Sequence, residues 1–282
     1  MYFYILDPHN IPQKNFERQQ TELQSLLTEF NVSGEMAKIT PLRIIQDLVD
    51  TAASRGVKTL IACGTDETFN QMLAAVKDRD FTLGFIPFAP NTQLGRILGM
   101  DDLATCVKTI ASRRTEKIDL AKIDNNYFIS YLELGIGSQT NKPLGMLSSI
   151  KLFAGSALTE IKMRIDDAYT ITSKTMGGLL VNTRGTKMCA GGAIGNPQDG
   201  FLDLLLIEKL SRMSAAKYKK EIENGCYENI PSATSVRCTK VEFLEPINYK
   251  ISVDGIEVAK FPATVELLPQ GLKMIVGKNR TF

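Results

Sequence analysis

Hydrophobic periodicity changes character near Arg114, and that change constrains the fold more than any other feature of the chain. Upstream, Tyr2 to Leu6 is an apolar run closed by Asp7-Pro8, the pattern of a buried strand running into a turn. Phe16, Leu23, Leu26, Leu27 and Phe30 then recur at helical spacing in a polar background. Thr40-Pro41 offers an N-cap with proline at the first helical position, and Leu42, Ile45, Leu48, Val49 and Ala52 continue that helix. Lys58 to Cys63 reads as the next strand, broken by Gly64. Phe69, Met72, Leu73 and Val76 mark a third helix, and Leu83 to Ile86 a third strand. This alternation predicts a Rossmann-like parallel α/β domain.

Downstream the runs become short and β-branched. Ile118–Ile123 and Tyr127–Glu133 flank Asp124-Asn125-Asn126 and predict a hairpin. Strands are expected at Ala168–Thr172, Gly178–Asn182, Phe201–Ile207, Val236–Phe243, Ile247–Val253, Ala263–Leu268 and Leu272–Val276, with a helix over Ser211–Glu223. Turn residues separate most of them, which predicts an antiparallel β-sandwich. The expected division is therefore 1–117 for the α/β domain and 118–282 for the β-rich one, and 282 residues are enough for both.

Composition narrows the function. Thirty-three basic against 31 acidic side chains, a net charge of +2, are too balanced for a general nucleic-acid binder. A single histidine, His9, argues against Ser-His-Asp catalysis and against a multi-histidine metal site. Cys63, Cys106, Cys189, Cys226 and Cys238 are odd in number and form no CxxC pair. They are expected to be buried small hydrophobes in a reducing compartment, not a disulfide framework or a zinc site. The N-terminus has no basic region before its apolar run and meets Asp7 too soon for a signal peptide. The longest uncharged window, Phe81 to Gly95, is short of a bilayer span and contains Pro87 and Pro90. A soluble, cytoplasmic protein is expected.

Open α/β sheets bind ligands beyond the carboxyl ends of their strands, and Gly64-Thr65-Asp66-Glu67-Thr68-Phe69-Asn70 stands at such a strand-to-helix junction. Gly64 permits a tight turn, and the amides of the helix start can hold a phosphate. Spacing alone favours an ordinary capped helix start, since one glycine is a weak phosphate signal.

Several segments together resemble the catalytic family of diacylglycerol kinases, which includes bacterial lipid kinases and sphingosine kinases. Gly64-Thr65-Asp66-Glu67-Thr68 is similar to the family's Gly-Gly-Asp-Gly-Thr nucleotide loop. Gly84-Phe85-Ile86-Pro87 followed by Arg96-Ile97-Leu98-Gly99 resembles its second motif, and Gly135-Ile136-Gly137-Ser138 its entry into the second domain. Asp199-Gly200-Phe201-Leu202-Asp203 resembles its Asp-Gly-Leu-Leu-Asp signature. Val253-Asp254-Gly255 and Leu267-Leu268-Pro269 resemble its closing Val-Asp-Gly-Glu and Val-Leu-Pro segments. The resemblance implies an α/β nucleotide domain, a β-rich lipid domain, an active cleft between them, and phosphoryl transfer from ATP to a lipid hydroxyl with Mg2+. It places nucleotide contacts on Thr40, Gly64, Thr65, Asp66, Glu67, Thr68 and Asn70. It implies a magnesium ion at Asp199 with the carbonyls of Asn196 and Phe201, and catalytic roles for Asp66, Asp254 and a displaced base, Glu257.

The departures from the family are as informative. Thr65 and Glu67 replace glycines, and a Glu67 carboxylate ~5 Å from a phosphate charge costs about 3 kcal/mol per pair at an effective dielectric of ~20. Ala89-Pro90-Asn91-Thr92-Gln93 lacks the second motif's threonine and acid, and Ile256 stands where the family's glutamate is expected. Glu257, one residue on, reaches the same face only through a bulge after Gly255. A non-catalytic relative that binds lipid, nucleotide or a protein is therefore the alternative. A kinase of a soluble substrate such as NAD is third, and the absence of an Asn-Glu pair weighs against it. A lipid substrate would bring transient contact at a membrane surface, for which Lys217-Tyr218-Lys219-Lys220 offers basic charge, although a solvated helix face is the better explanation of that cluster. The apolar stretch Lys142–Leu158 reads as a core helix or an acyl-chain path. No nucleic-acid partner is expected, and oligomerisation is left open.

Overall fold

The computed structural model describes residues 1–76, 79–90, 92–100, 102–124, 126–135, 158–184, 194–223, 226–253 and 256–282. Asp254, Ile136-Gly137-Ser138 and nearly all of Lys142–Leu158 lie outside the described residues. The chain forms two compact units: Met1–Ile118 with Gln270–Thr281, and Asp119–Pro269 with Phe282.

In the first unit, strands β1 (Tyr2–Leu6), β2 (Glu35–Lys38), β3 (Thr59–Gly64) and β4 (Thr82–Pro87) alternate with helices α1 (Gln13–Glu29), α2 (Ile45–Ser54) and α3 (Asp66–Val76). The strands are parallel in the order β2-β1-β3-β4. Every residue of β1 is buried, as expected of a strand covered on both faces, and α1 buries Phe16, Leu23 and Leu27. Register sets Leu6 beside both Lys38 and Cys63, and Gly64 beside Pro87, so all four strands end along one edge. Asp7, Ile39, Thr65 and Phe88 leave the sheet there.

Two helices and one strand of this unit are not among the elements expected from the sequence: α4 (Gln93–Leu98), α5 (Leu103–Ser112) and β2. The expected helix start at Thr40-Pro41 is corrected. Thr40 and Arg43 close a turn on each other, with N–H to O distances of 3.1 and 3.0 Å, and α2 begins at Ile45. The Asp47 carboxylate accepts from the Ile44 amide at 3.1 Å and so caps the helix instead. Leu42, expected on the buried face, is 96% exposed.

The second unit holds two antiparallel sheets, the sandwich architecture predicted. The hairpin forms between β5 (Thr115–Ile123) and β6 (Asn126–Phe128), with Ala121 opposite Phe128. One sheet runs β12 (Ala233–Cys238), β11 (Leu202–Ile207), β10 (Gly177–Val181), β7 (Tyr131–Leu134), β14 (Lys250–Val253) and β15 (Ile256–Lys260). The other contains β8 (Thr159–Ile165), β9 (Tyr169–Thr175), β13 (Lys240–Glu245) and the start of β16 (Ala263–Ile275). Their inner faces share one core, including Leu132, Leu204 and Ile251 from the first and Ile161, Phe243 and Val265 from the second.

The expected strand Val236–Phe243 is two strands. The Asp166 carboxylate takes the Thr239 and Lys240 amides at 2.8 and 2.9 Å, which removes them from a ladder and lets the chain change sheets. Conversely, Ala263–Leu268 and Leu272–Val276 join as β16, which pairs with β13 at its start and with β4 at its end. The expected helix over Ser211–Glu223 is two short ones, Arg212–Lys217 and Lys219–Glu223, with Lys217 Nζ 5.2 Å from the Tyr218 ring centroid. Cys63, Cys106 and Cys238 are buried free thiols as expected, but Cys226 is disulfide-bonded, which corrects the expectation of reduced cysteines throughout.

The C-terminal segment belongs to the first unit because backbone groups hold it there: Gly277 N–H donates to Leu98 O at 2.7 Å and Thr281 N–H to Ile97 O at 3.0 Å. Gly99 ends α4 at φ 67°, where a Cβ would lie 2.5 Å from the Asn279 carbonyl carbon. A Gly99→Ala variant therefore combines left-handed strain with a backbone clash. It should lose more than about 1 kcal/mol of stability, read as a lowered urea midpoint at unchanged slope.

Candidate functional site

The shared carboxyl edge of the first unit's sheet opens into a cleft of ≈ 690 Å³. Ile39, Ile44, Ile45, Ala74 and Ala75 line it with apolar atoms, and Asp7, His9, Asn10, Thr40, Glu67 and Gln71 with polar ones. At its floor Asp7 is only 5% exposed. One carboxylate oxygen accepts the Thr68 hydroxyl at 2.7 Å, and the other accepts the His9 amide at 2.9 Å and lies 2.6 Å from His9 Nδ1. Thr68 in turn accepts from the Thr65 amide at 3.0 Å, so the loop is tied back onto β1. Gly64 is required by this closeness: a Cβ there would sit 2.4 Å from Thr68 Oγ1 and 3.1 Å from Asp7 Cβ.

The nucleotide residues expected from the sequence divide into two groups. Thr40 and Glu67 line the cleft. Glu67 is exposed and takes Gln71 Nε2 at 3.3 Å and Asn10 Nδ2 at 3.5 Å. Gly64, Thr65 and Thr68 shape the loop from beneath, and Thr68 is fully buried in the Asp7 network. Asn70 lies in α3, half-buried. Asp66, expected to be catalytic, caps α4: its two oxygens accept the Gln93 and Leu94 amides at 2.8 and 3.0 Å. The loop and the second motif are thus joined by one side chain. Burial raises the Asp66 pKa above the ordinary carboxylate value, and the two amide hydrogen bonds oppose that rise.

Several polar residues of this cleft were not singled out from the sequence as site residues, among them Asp7, His9, Asn10 and Gln71. Asp7 looked like the end of a strand and His9 like an isolated histidine. The available signal was a charged residue directly after a fully apolar strand that ends at the ligand-binding edge.

In the second unit, Asp199 and Asn196 lie on one turn and Phe201 directly precedes β11. Asp199 Oδ1 accepts the Phe201 amide at 3.1 Å, and Oδ2 is bound by the Arg237 guanidinium. The Asn196 carbonyl accepts the Asp199 amide at 3.4 Å. Both carboxylate oxygens are therefore partnered within the protein, and a cation there would have to sit beside the Arg237 guanidinium or displace it. Among the described residues no group of three or more His, Cys, Asp or Glu is arranged to hold a metal. The donor set does not fit a resident ion.

Glu257 on β15 is exposed and ion-paired with Lys250 at 2.8 Å and Lys260 at 3.3 Å. Hydrogen bonding to Lys250, then to Lys260, holds its pKa below the usual carboxylate value. Val253 pairs with Ile256 and Ser252 with Glu257, and the register shift comes between Glu257 and Ala259. The bulge that would redirect Glu257 thus falls after it, not before it.

Comparison with known proteins agrees with this architecture. Residues 4–123 match the diacylglycerol kinase catalytic domain, and residues 144–276 match the YegS C-terminal NAD kinase beta sandwich-like domain. A diacylglycerol kinase of Staphylococcus epidermidis is 23% identical over 235 residues, covering 78% of this chain and 74% of its own. One from Staphylococcus aureus is 22% identical over 270 residues, covering 89% and 86%. The crystal structure of a diacylglycerol kinase from Bacillus anthracis superposes with a TM-score of 0.78 at 18% identity, covering 98% of this chain and 97% of that one, which establishes the fold. The chain belongs to the diacylglycerol kinase catalytic-domain family. Among the described residues no helix is long and apolar enough to cross a membrane.

Replacing Asp66 by Asn leaves one acceptor for two amides, and should cost about 1–2 kcal/mol of stability. The folded state holds the Asp66 proton more tightly than the unfolded chain does. Its contribution is therefore complete below the unfolded-state pKa and declines as pH rises through the folded-state value. The stability gap between wild type and Asp66→Asn should widen as pH falls from about 6 to about 4, measured by urea denaturation across that range.

Proposed function

We propose that the chain transfers a phosphoryl group from ATP to a lipid hydroxyl, with the nucleotide in the cleft of the first unit. The observation that carries this reading is the cleft itself. An apolar set, Ile39, Ile44, Ile45, Ala74 and Ala75, suits a nucleobase, and a polar set at the strand ends suits ribose and phosphates. The acceptor class comes from the relatives, which bear the name diacylglycerol kinase.

The charge of the cleft sets a condition on the donor. Its lining includes the carboxylates of Asp7 and Glu67 and, among the described residues, neither lysine nor arginine. A triphosphate entering it gains no fixed positive charge from those residues and needs a divalent cation of its own, for which magnesium is the natural choice. The protein's own contribution is positional. Asp7 and Thr68 set the loop height, Asp66 holds α4 beside it, and Thr40, Asn10 and Gln71 offer hydrogen bonds to the ligand.

Phosphoryl transfer passes through a loose transition state, so alignment and charge neutralisation matter more than a strong base. Glu257, held ionised by two lysines, is poorly suited to accept the hydroxyl proton, and we assign that part to Asp254. A lipid acceptor brings the protein into transient contact with a membrane surface. The ion pairs of Glu257 favour a second reading, a relative that binds nucleotide without transferring phosphate.

Calorimetry should show wild type binding ATP with Mg2+ and not in EDTA. Glu67→Gln should bind roughly tenfold tighter, because one like charge is gone. Absence of binding by both proteins in Mg2+ would sink the nucleotide reading. Binding without label transfer from ATP to diacylglycerol in mixed micelles would favour the second.

A further inference from the structure

The Asp199 turn carries a cation of its own. We propose that Arg237 does there the charge-neutralising work that the family resemblance gives to a divalent ion, so that the turn of this chain is assembled without metal. The inference concerns the second unit and is independent of what the first unit's cleft binds.

Three features point to it. First, strand register fixes the position of Arg237: β11 and β12 pair with Asp203 directly opposite Arg237, so the guanidinium is delivered to the acidic turn by the backbone. Second, Arg237 meets both carboxylates. Its Nη2 binds Asp199 Oδ2, and its Nε lies 3.7 Å from Asp203 Oδ1. Its Cζ also stands 4.5 Å from the Phe201 ring centroid, a cation–π contact that holds the planar group in place. Third, the turn is already satisfied without an ion. The Gly195 amide donates to Asp203 Oδ2 at 2.8 Å, the Phe201 amide to Asp199 Oδ1 at 3.1 Å, and the Gly200 amide to Asp119 Oδ2 at 2.9 Å. Asp119 N–H also donates to Pro197 O at 2.6 Å, which anchors the turn to the middle of β5.

A magnesium ion at Asp199 would have to share one carboxylate oxygen with a permanently charged guanidinium. Arginine does not lose its charge in the physiological range, and a divalent ion within about 4 Å of it is repelled at any accessible pH. The two cations are alternatives, and the register of β11 against β12 selects the arginine.

Manganese(II) accepts oxygen donors as magnesium does and can be counted by its paramagnetic resonance signal, so it is the probe. It is titrated into the full chain, free of nucleotide, for wild type, Asp199→Asn, Arg237→Lys and Arg237→Gln. Wild type, Asp199→Asn and Arg237→Lys should bind the same number of ions. Arg237→Gln should gain one ion that wild type does not bind at the same manganese concentrations. Adding Asp199→Asn to Arg237→Gln should abolish the gain. Loss of one ion in Asp199→Asn alone would overturn the proposal, because it would place a metal on Asp199 beside the arginine. A folded Arg237→Gln that gains no ion would overturn it as well. Arg237 is half-exposed at 53%, so its replacement leaves the sheet core intact, and the Asp199→Asn comparison is decisive without it.

Discussion

The first unit is organised around a carboxylate removed from water. Asp7 leaves β1 at the edge where all four parallel strands end, and a buried carboxylate is tolerated only when its oxygens are hydrogen-bonded. Thr68 and His9 meet that demand, and meeting it draws the start of α3 against the end of β1. The Gly64 backbone must then pass within a Cβ's reach of both side chains, which only glycine allows. The loop, the helix start and the cleft above them follow from this one contact.

Acidic residues are used throughout the molecule in this manner, as anchors for backbone amides. Asp66 holds the start of α4, Asp102 takes the Thr105 amide at the start of α5, Asp166 breaks a strand between sheets, and Asp199 and Asp203 close the turn before β11. In a short motif such a residue is indistinguishable from a metal ligand or a catalytic acid, because all three uses favour a carboxylate beside a glycine. What separates them is whether the oxygens are already spent. At Asp66 both accept amides, and at Asp199 one accepts an amide and the other an arginine.

Much of the architecture was legible from pattern. Three strands of the first unit, β1, β3 and β4, are apolar runs bounded by Asp7, Gly64 and Pro87, and α1 and α3 carry apolar residues at three-four spacing. The features that escaped depend on partners distant in sequence. Nothing around Thr40-Pro41 reveals that the capping carboxylate is Asp47 and that the helix starts after Ile44. Pro269-Gln270-Gly271 reads as a turn, yet β16 runs through it because its two ends pair with different strands. Likewise, His9 and Asn10 gained their place at the cleft from the register of β1, not from a motif.

The sequence by itself determined the class of each half and the family motifs, since these rest on local periodicity and contiguous residues. Tertiary structure decided what the motif side chains do. Glu257 is drawn to Lys250 across the β14–β15 pair, Asp66 to amides 27 and 28 residues away, and Asp199 to an arginine 38 residues away. The reason is physical: a carboxylate's role is set by the donors that reach its oxygens, and those donors are chosen by strand register and chain crossing, which no short segment encodes.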